Sequence, residues 1–215
     1  MNEDAVIHVV DDDSAMRTST VSLLTSNGLG AIGYPSAEDF LERAVWSGPG
    51  CVIVDLRMPG MGGEALISEL AKDGDPPPAI VLTGHGTIEN AVKTVQDGAV
   101  DFLEKPCPND RLMGAVEKAI AHDRERLARK RESDELIAKV NTLTPRERGI
   151  LDQMLTGKTS PDIATVLGLQ PKSVQVYRSR VLQKMGFATT VEMVRHLLIS
   201  DPTTWSGAPD ETPDG

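Results

Sequence analysis

The sequence predicts two folds in one chain. Residues 1–121 read as a doubly wound (βα)5 α/β sheet, and residues 142–200 as an all-α module of four helices. Three observations carry this. Five short apolar runs alternate with helical stretches in the first part, the pattern of a parallel sheet covered on both faces. Past residue 142 such runs stop, and helix-start signals with glycine stops take over. Charge divides at the same place: residues 1–121 carry 8 Lys/Arg against 19 Asp/Glu, whereas residues 142–200 carry 8 against 4. The overall net charge of −10 hides an acidic module followed by a mildly basic one, and so two kinds of partner.

Taken in order, Ala5–Val10 is a buried strand that ends in Asp11-Asp12-Asp13. Ser14 suits the N-cap of a helix running to about Asn27, with Gly28 placed to end it. A short strand near Ala31–Tyr34 and a helix near Ala37–Ala44, opened by Ser36, come next. Cys51–Val54 is the most completely apolar strand, and it stops at Asp55 before the loop Leu56–Gly60. A helix near Glu64–Lys72, the strand Ala79–Thr83, a helix from Ile88 to about Asp97, the strand Ala99–Leu103 and a helix from about Asn109 complete five βα units.

This alternation brings Asp11, Asp12, Asp55, Thr83 and Lys105 to the carboxyl edge of the sheet, where open α/β sheets bind ligands. Each has a bland reading alone: acids favouring a helix dipole, a turn aspartate, a structural threonine or lysine. Several at matching strand ends point instead to one site. Three clustered carboxylates repel one another unless a cation intervenes. Mg²⁺ suits an all-oxygen donor set and leaves room for phosphate oxygens. Asp55 can then act as a nucleophile toward phosphorus, with Lys105 and Thr83 supplying charge and a donor.

The segments VVDDD, VDLRMPG, LTGHG and DFLEKP, in this order, resemble a response-regulator receiver domain, which has the flavodoxin-like (βα)5 fold. The resemblance implies that Asp55 is the phosphoacceptor. It implies Asp12, Asp55 and the Arg57 backbone carbonyl as Mg²⁺ ligands, with Asp11 as acidic support. Thr83 becomes the switch hydroxyl, Phe102 the switch aromatic and Lys105 the phosphate-binding lysine. One departure is Cys107, which stands where relatives often have Phe.

Residues 122–141 carry 6 Lys/Arg against 5 Asp/Glu and read as a helical linker, solvated through its charged stretch Asp123–Glu135. Thr144-Pro-Arg-Glu147 is a capping box with Pro at the first helical position. Its helix runs to about Thr156. Ser160-Pro-Asp starts a second helix to Leu167, and Gly168 makes a tight turn. Pro171 opens a third helix to about Met185, and Thr189-Thr-Val-Glu192 starts a fourth to about Ile199. A short helix, a glycine turn and a longer helix form the helix-turn-helix pattern.

In the third helix Val174, Tyr177, Val181 and Met185 form the buried stripe. Lys172, Gln175, Val176, Ser179, Arg180 and Gln183 project away from it. Gln175 suits adenine, Val176 a thymine methyl and Ser179 either base class. Lys158, Lys172, Arg178, Arg180 and Lys184 are placed to neutralise phosphate. The run from Leu143 to Gly186 closely resembles the LuxR-type DNA-binding domain, and the chain as a whole is similar to regulators of the NarL/FixJ class. In that family the fourth helix tends to dimerise; Val191, Val194 and Leu198 would supply its apolar seam here.

The resemblance implies a two-component regulator of transcription, not an enzyme. A sensor histidine kinase phosphorylates Asp55, a face around the Ile88 helix, the last strand and the Asn109 helix is exposed, and the homodimer engages a double-stranded operator. The alternative is a phosphorylation-independent DNA-binding regulator whose receiver only docks partners. A phosphatase using Asp11-x-Asp13 is a further rival, disfavoured by the attached DNA-binding module. No apolar run reaches membrane-spanning length and the amino terminus lacks a basic leader, so a cytoplasmic protein without membrane partners is expected. The segment 201–215, rich in Pro, Gly, Thr and Asp, is expected to be disordered.

Overall fold

A computed structural model describes residues 4–46, 48–84 and 99–200. The helix expected from Ile88 and the segment 201–215 lie outside the described residues. The chain divides into two units, Met1–Leu127 and Ala128–Gly215.

In the first unit β1 (Val6–Val10), β2 (Gly30–Tyr34), β3 (Gly50–Val54), β4 (Ala79–Thr83) and β5 (Ala99–Glu104) form one parallel sheet. Their order is β2-β1-β3-β4-β5, so β1 and β3 flank the switch point. Successive side chains on a strand point to opposite faces, and the central β3 and β4 are buried on both, which is why they read as nearly unbroken apolar runs. Ile7, Val9, Cys51, Ile53, Ile80 and Leu82 pack with Leu24 of α1 (Ser14–Ser26) and with Leu112, Val116 and Ile120 of α4 (Asn109–Asn141). Val10, Val52, Val54 and Val81 pack with Phe40 of α2 (Ala37–Arg43) and with Leu66 and Ile67 of α3 (Gly63–Leu70). Each fully buried side chain of this size contributes about 1.5–3 kcal/mol relative to exposure, so the two layers hold the sheet.

Two details differ from the sequence reading. Asp13, not Ser14, caps α1: its carboxylate accepts from the N–H groups of Ala15 (2.8 Å) and Met16 (3.2 Å). Asp13 is the last residue with extended backbone before the helix, and a carboxylate there also favours the helix dipole. The charged stretch from Asp123 is not wholly solvated. The Asp123 carboxylate is completely buried at the edge where the strands begin, accepting from Gly50 N–H (2.9 Å) and Arg126 Nε (2.7 Å). Arg126 Nη1 in turn donates to the Asp75 carbonyl (3.0 Å) and carboxylate (2.8 Å).

The second unit takes Leu136 and Val140 from the end of α4 and packs them with α5 (Pro145–Leu155), α6 (Ser160–Leu167), α7 (Pro171–Met185) and α8 (Thr190–Ser200). Ile150, Leu151, Met154, Ile163, Val174, Val181, Met185, Met193 and Leu197 are its buried centre. The expected capping box at α5 is present: Thr144 Oγ1 accepts from Glu147 N–H, and Glu147 Oε2 from Thr144 N–H (2.9 Å). At α6 the box is formed by Thr159 and Asp162, one residue earlier than Ser160. Among the described residues no helix is long and apolar enough to cross a membrane.

Candidate functional site

The sheet brings the acidic strand ends together through its own hydrogen bonding. Asp55 N–H donates to the Val10 carbonyl (3.0 Å), so the residue after β3 lies beside the end of β1. Lys105 N–H donates to the Thr83 carbonyl (2.8 Å), which ties the end of β5 to that of β4 in the same way. Lys105 Nζ then spans the edge. It donates to Asp11 Oδ2 at 2.7 Å and to Asp55 Oδ2 at 2.8 Å, two residues that lie far from it in sequence. Burial works against this ammonium, but the bonds to Asp11 and Asp55 outweigh it and hold the Lys105 pKa above the ordinary lysine value.

Asp11 is buried, Asp12 exposed and Asp55 between the two, and carboxylate oxygens of all three lie within 4.8 Å of one another. One ammonium faces three carboxylates, so the cluster retains net negative charge. Its donor set is entirely hard oxygen, which fits Mg²⁺. Asp13 N–H donates to Asp11 Oδ1 (2.9 Å) and Arg57 N–H to Asp55 Oδ1 (3.2 Å), which fix both carboxylates in orientation. Thr83 is fully buried at the end of β4, and Phe102 is half-buried against the α2–α3 side of the sheet. Helix α3 starts directly under Asp55: a Cβ on Gly63 would lie 2.3 Å from the Asp55 carbonyl oxygen, so only glycine fits.

In the second unit α7 presents Lys172, Gln175, Val176, Ser179 and Arg180 as exposed residues, while Val174, Val181 and Met185 are buried and Tyr177 is half-buried. Arg178 and Lys184 stand differently. Arg178 Nη1 donates to the Lys158 carbonyl (3.1 Å) and Nη2 to Thr190 Oγ1 (3.2 Å), joining α7 to the start of α8. Lys184 Nζ donates to Glu147 Oε2 (2.7 Å) and to the Thr142 carbonyl (3.2 Å). The Glu147 carboxyl is held at about 2 by Lys184 and by the Thr144 N–H.

Comparison with known proteins accounts for both units. Residues 7–117 match the family of response regulator receiver domains, and residues 141–197 match the bacterial regulatory proteins of the luxR family. The chain is a response regulator of the NarL/FixJ class. It is 38% identical over 200 residues to the transcriptional regulatory protein FixJ of Azorhizobium caulinodans, covering 93% of this chain and 95% of that protein. The structure of the response regulator StyR superposes with a TM-score of 0.75 at 32% identity, covering 90% of this chain and 98% of that one. Full-length FixJ from B. japonicum superposes with a TM-score of 0.55 at 36% identity, covering 91% and 96%. A response regulator of this class regulates transcription and is not a conventional enzyme.

Sequence reasoning missed two side chains around this regulator's acidic edge. Arg17 Nη1 donates to the Asp11 carbonyl (2.6 Å), holding the β1–α1 turn from inside α1. Its place one turn into the helix after three acids is a signal that was available. Glu38 Oε1 accepts from Met61 N–H (2.7 Å) across 23 positions, and no local pattern announces it.

Proposed function

We propose that this regulator is a phospho-switch in which Asp55 accepts a phosphoryl group from the phosphohistidine of a partner histidine kinase. The observation that carries the reading is the Lys105 ammonium bridging Asp11 and Asp55 at matched strand ends. An Asp55 carboxylate oxygen forms the new O–P bond as the N–P bond breaks. The electron pair returns to the donor imidazole, which takes a proton from solvent. Asp12, Asp55 and the Arg57 carbonyl, with Asp11 in support, would hold Mg²⁺, which when bound would supply positive charge against the phosphoryl oxygens. Lys105 moves its ammonium from the two carboxylates to the phosphoryl oxygens, and the Thr83 hydroxyl donates to another. Drawing Thr83 inward frees space for Phe102 to turn, which biases an existing equilibrium rather than creating a new fold.

The receiver, over residues 1–121, then pairs with a second copy, and the linker 122–141 and module 142–200 deliver two α7 helices to an operator with two half-sites. Gln175, Val176 and Ser179 read base edges; Lys172 and Arg180 meet phosphates. Arg178 and Lys184 add charge near the backbone while their hydrogen bonds hold α7 against α5 and α8. The protein works in the cytoplasm.

Acetyl phosphate with Mg²⁺ tests the chemistry, read by intact mass. The expected result is one phosphate-sized gain in the wild type, absent in Asp55→Asn and absent when the cation is chelated. A gain that persists in Asp55→Asn at the same stoichiometry would overturn the assignment.

A further inference from the structure

We infer that Glu38, on the first turn of α2, is a positioning residue for the divalent cation. It acts by holding the backbone of the loop that follows Asp55. The inference rests on the cation reading above and extends it to a residue outside the acidic edge.

The loop Leu56–Gly62 leaves β3 at Asp55, and it carries the Arg57 carbonyl proposed as a ligand. Its inner side is fixed by burial, since Leu56 and Met58 are each only 8% exposed. Its base is closed by Gly63 N–H donating to the Leu56 carbonyl (3.1 Å). The outer part, Pro59–Met61, is held less firmly: Pro59 and Gly60 are exposed, and only Met61 packs, half-buried, against the core. There the Glu38 carboxylate accepts from Met61 N–H at 2.7 Å, a charge-assisted bond between elements 23 residues apart. This bond is the main cause of a Glu38 pKa below the usual carboxylate range, with its own N–H and the Ser36 hydroxyl contributing.

Gly60 lies beside the same carboxylate. It has a φ of +75°, which other residues rarely adopt, and a Cβ there would lie 2.6 Å from Glu38 Oε1. The positive φ calls for glycine here, and this turn of the backbone directs the next N–H onto the carboxylate. A carbonyl ligand has no side-chain freedom of its own, so its position depends on how firmly its loop is held. Loss of the Glu38 contact lets the loop sample more conformations, and the cation must then bear that ordering cost.

The test is Mg²⁺ titration of the full chain by calorimetry, with acetyl-phosphate labelling rates measured across Mg²⁺ concentration. Glu38→Ala is expected to weaken Mg²⁺ binding about tenfold, the low end for outer partners of a metal site because this one is exposed. Its labelling rate at saturating Mg²⁺ is expected to match the wild type. Glu38→Gln keeps an acceptor oxygen without the charge and is expected to remain within about threefold of wild type. Gly60→Ala is expected to weaken binding in the wild-type background and to do so less once Glu38 is Ala, because the close contact is then gone. Thermal unfolding in EDTA checks that each variant is folded.

Unchanged Mg²⁺ affinity in Glu38→Ala overturns the inference. So does a Glu38→Gln variant as weak as Glu38→Ala, since the effect would then be long-range charge rather than positioning. If the wild type itself binds no Mg²⁺, the cation reading fails, and this inference fails with it.

Discussion

Acidification should destabilise the receiver unit through a single histidine. His8 lies mid-strand in β1 and is wholly buried, its Nδ1 3.0 Å from Tyr34 Oη. Aromatic rings surround it: Trp46 at 4.4 Å and Phe40 at 5.6 Å between centroids. Its Nε2 has no hydrogen-bond partner among the described residues. Burial lowers its pKa from the ordinary 6.5 to about 4. The unfolded chain therefore takes up a proton as pH falls through about 6.5, while the folded chain resists until about 4. His8 costs nothing above pH 6.5, progressively more between 6.5 and 4, and no further amount below. At about 1.4 kcal/mol per tenfold difference in proton affinity, the whole window is worth on the order of 3 kcal/mol. Urea unfolding between pH 7.5 and pH 4, followed by Trp46 fluorescence, compares the wild type with His8→Leu. The variant should lose about 1 kcal/mol at neutral pH with the Tyr34 bond. It should then fall less steeply with acid, so that the two curves cross. Tyr34→Phe should reproduce the neutral loss and keep the acid slope. Wild type and His8→Leu declining in parallel would refute the reasoning.

Other perturbations follow from the same contacts. Lys105→Met leaves the Asp11 and Asp55 carboxylates without their ammonium; it should cost about 2–3 kcal/mol in EDTA and recover much of that with Mg²⁺, by thermal unfolding. Arg126→Ala strands the buried Asp123 carboxylate and should cost about 3 kcal/mol in urea unfolding, whereas Asp123→Asn, which keeps an acceptor for Gly50, should cost less. In the helical module, Glu147 stabilises the fold above its unfolded value of 4.5, and that contribution is lost as pH falls toward about 2. Lys184→Met should shift this acid loss to higher pH, as followed by circular dichroism. Gln175→Ala should leave thermal stability unchanged and relax operator sequence preference at one position, by about 1–3 kcal/mol. Lys172→Ala should instead weaken binding to all sequences and reduce the salt slope by about 1.

Much of the architecture was legible because it depends on short-range pattern. The unbroken apolar strand at Cys51–Val54, the Ser36 cap of α2 and the Thr144-Pro-Arg-Glu147 box each declare an element within a few residues. Alternation of strands and helices was then enough to bring Asp11, Asp55 and Lys105 to one edge. What sequence could not give are contacts whose partners meet only after folding. Glu38 reaches Met61, Asp123 reaches Gly50, and Lys184 turns back to Glu147, over 23, 73 and 37 positions respectively. For Arg178 and Lys184 the helical wheel identified basic side chains, but not that their hydrogen bonds are used inside the module. The Asp13 cap was missed for a smaller reason: Asp13 and Ser14 are both good capping residues, and only backbone conformation distinguishes them.

The central claim is that charge added at Asp55 governs the DNA-binding module, and operator affinity before and after phosphorylation tests it most directly. An operator selected with the phosphorylated full chain should bind that form at least about tenfold more tightly than the unmodified one, with binding in pairs. Asp55→Asn should bind like the unmodified chain whether or not acetyl phosphate is present. Equal affinity for the two forms of the wild type, or an acetyl-phosphate gain retained by Asp55→Asn, would contradict the claim.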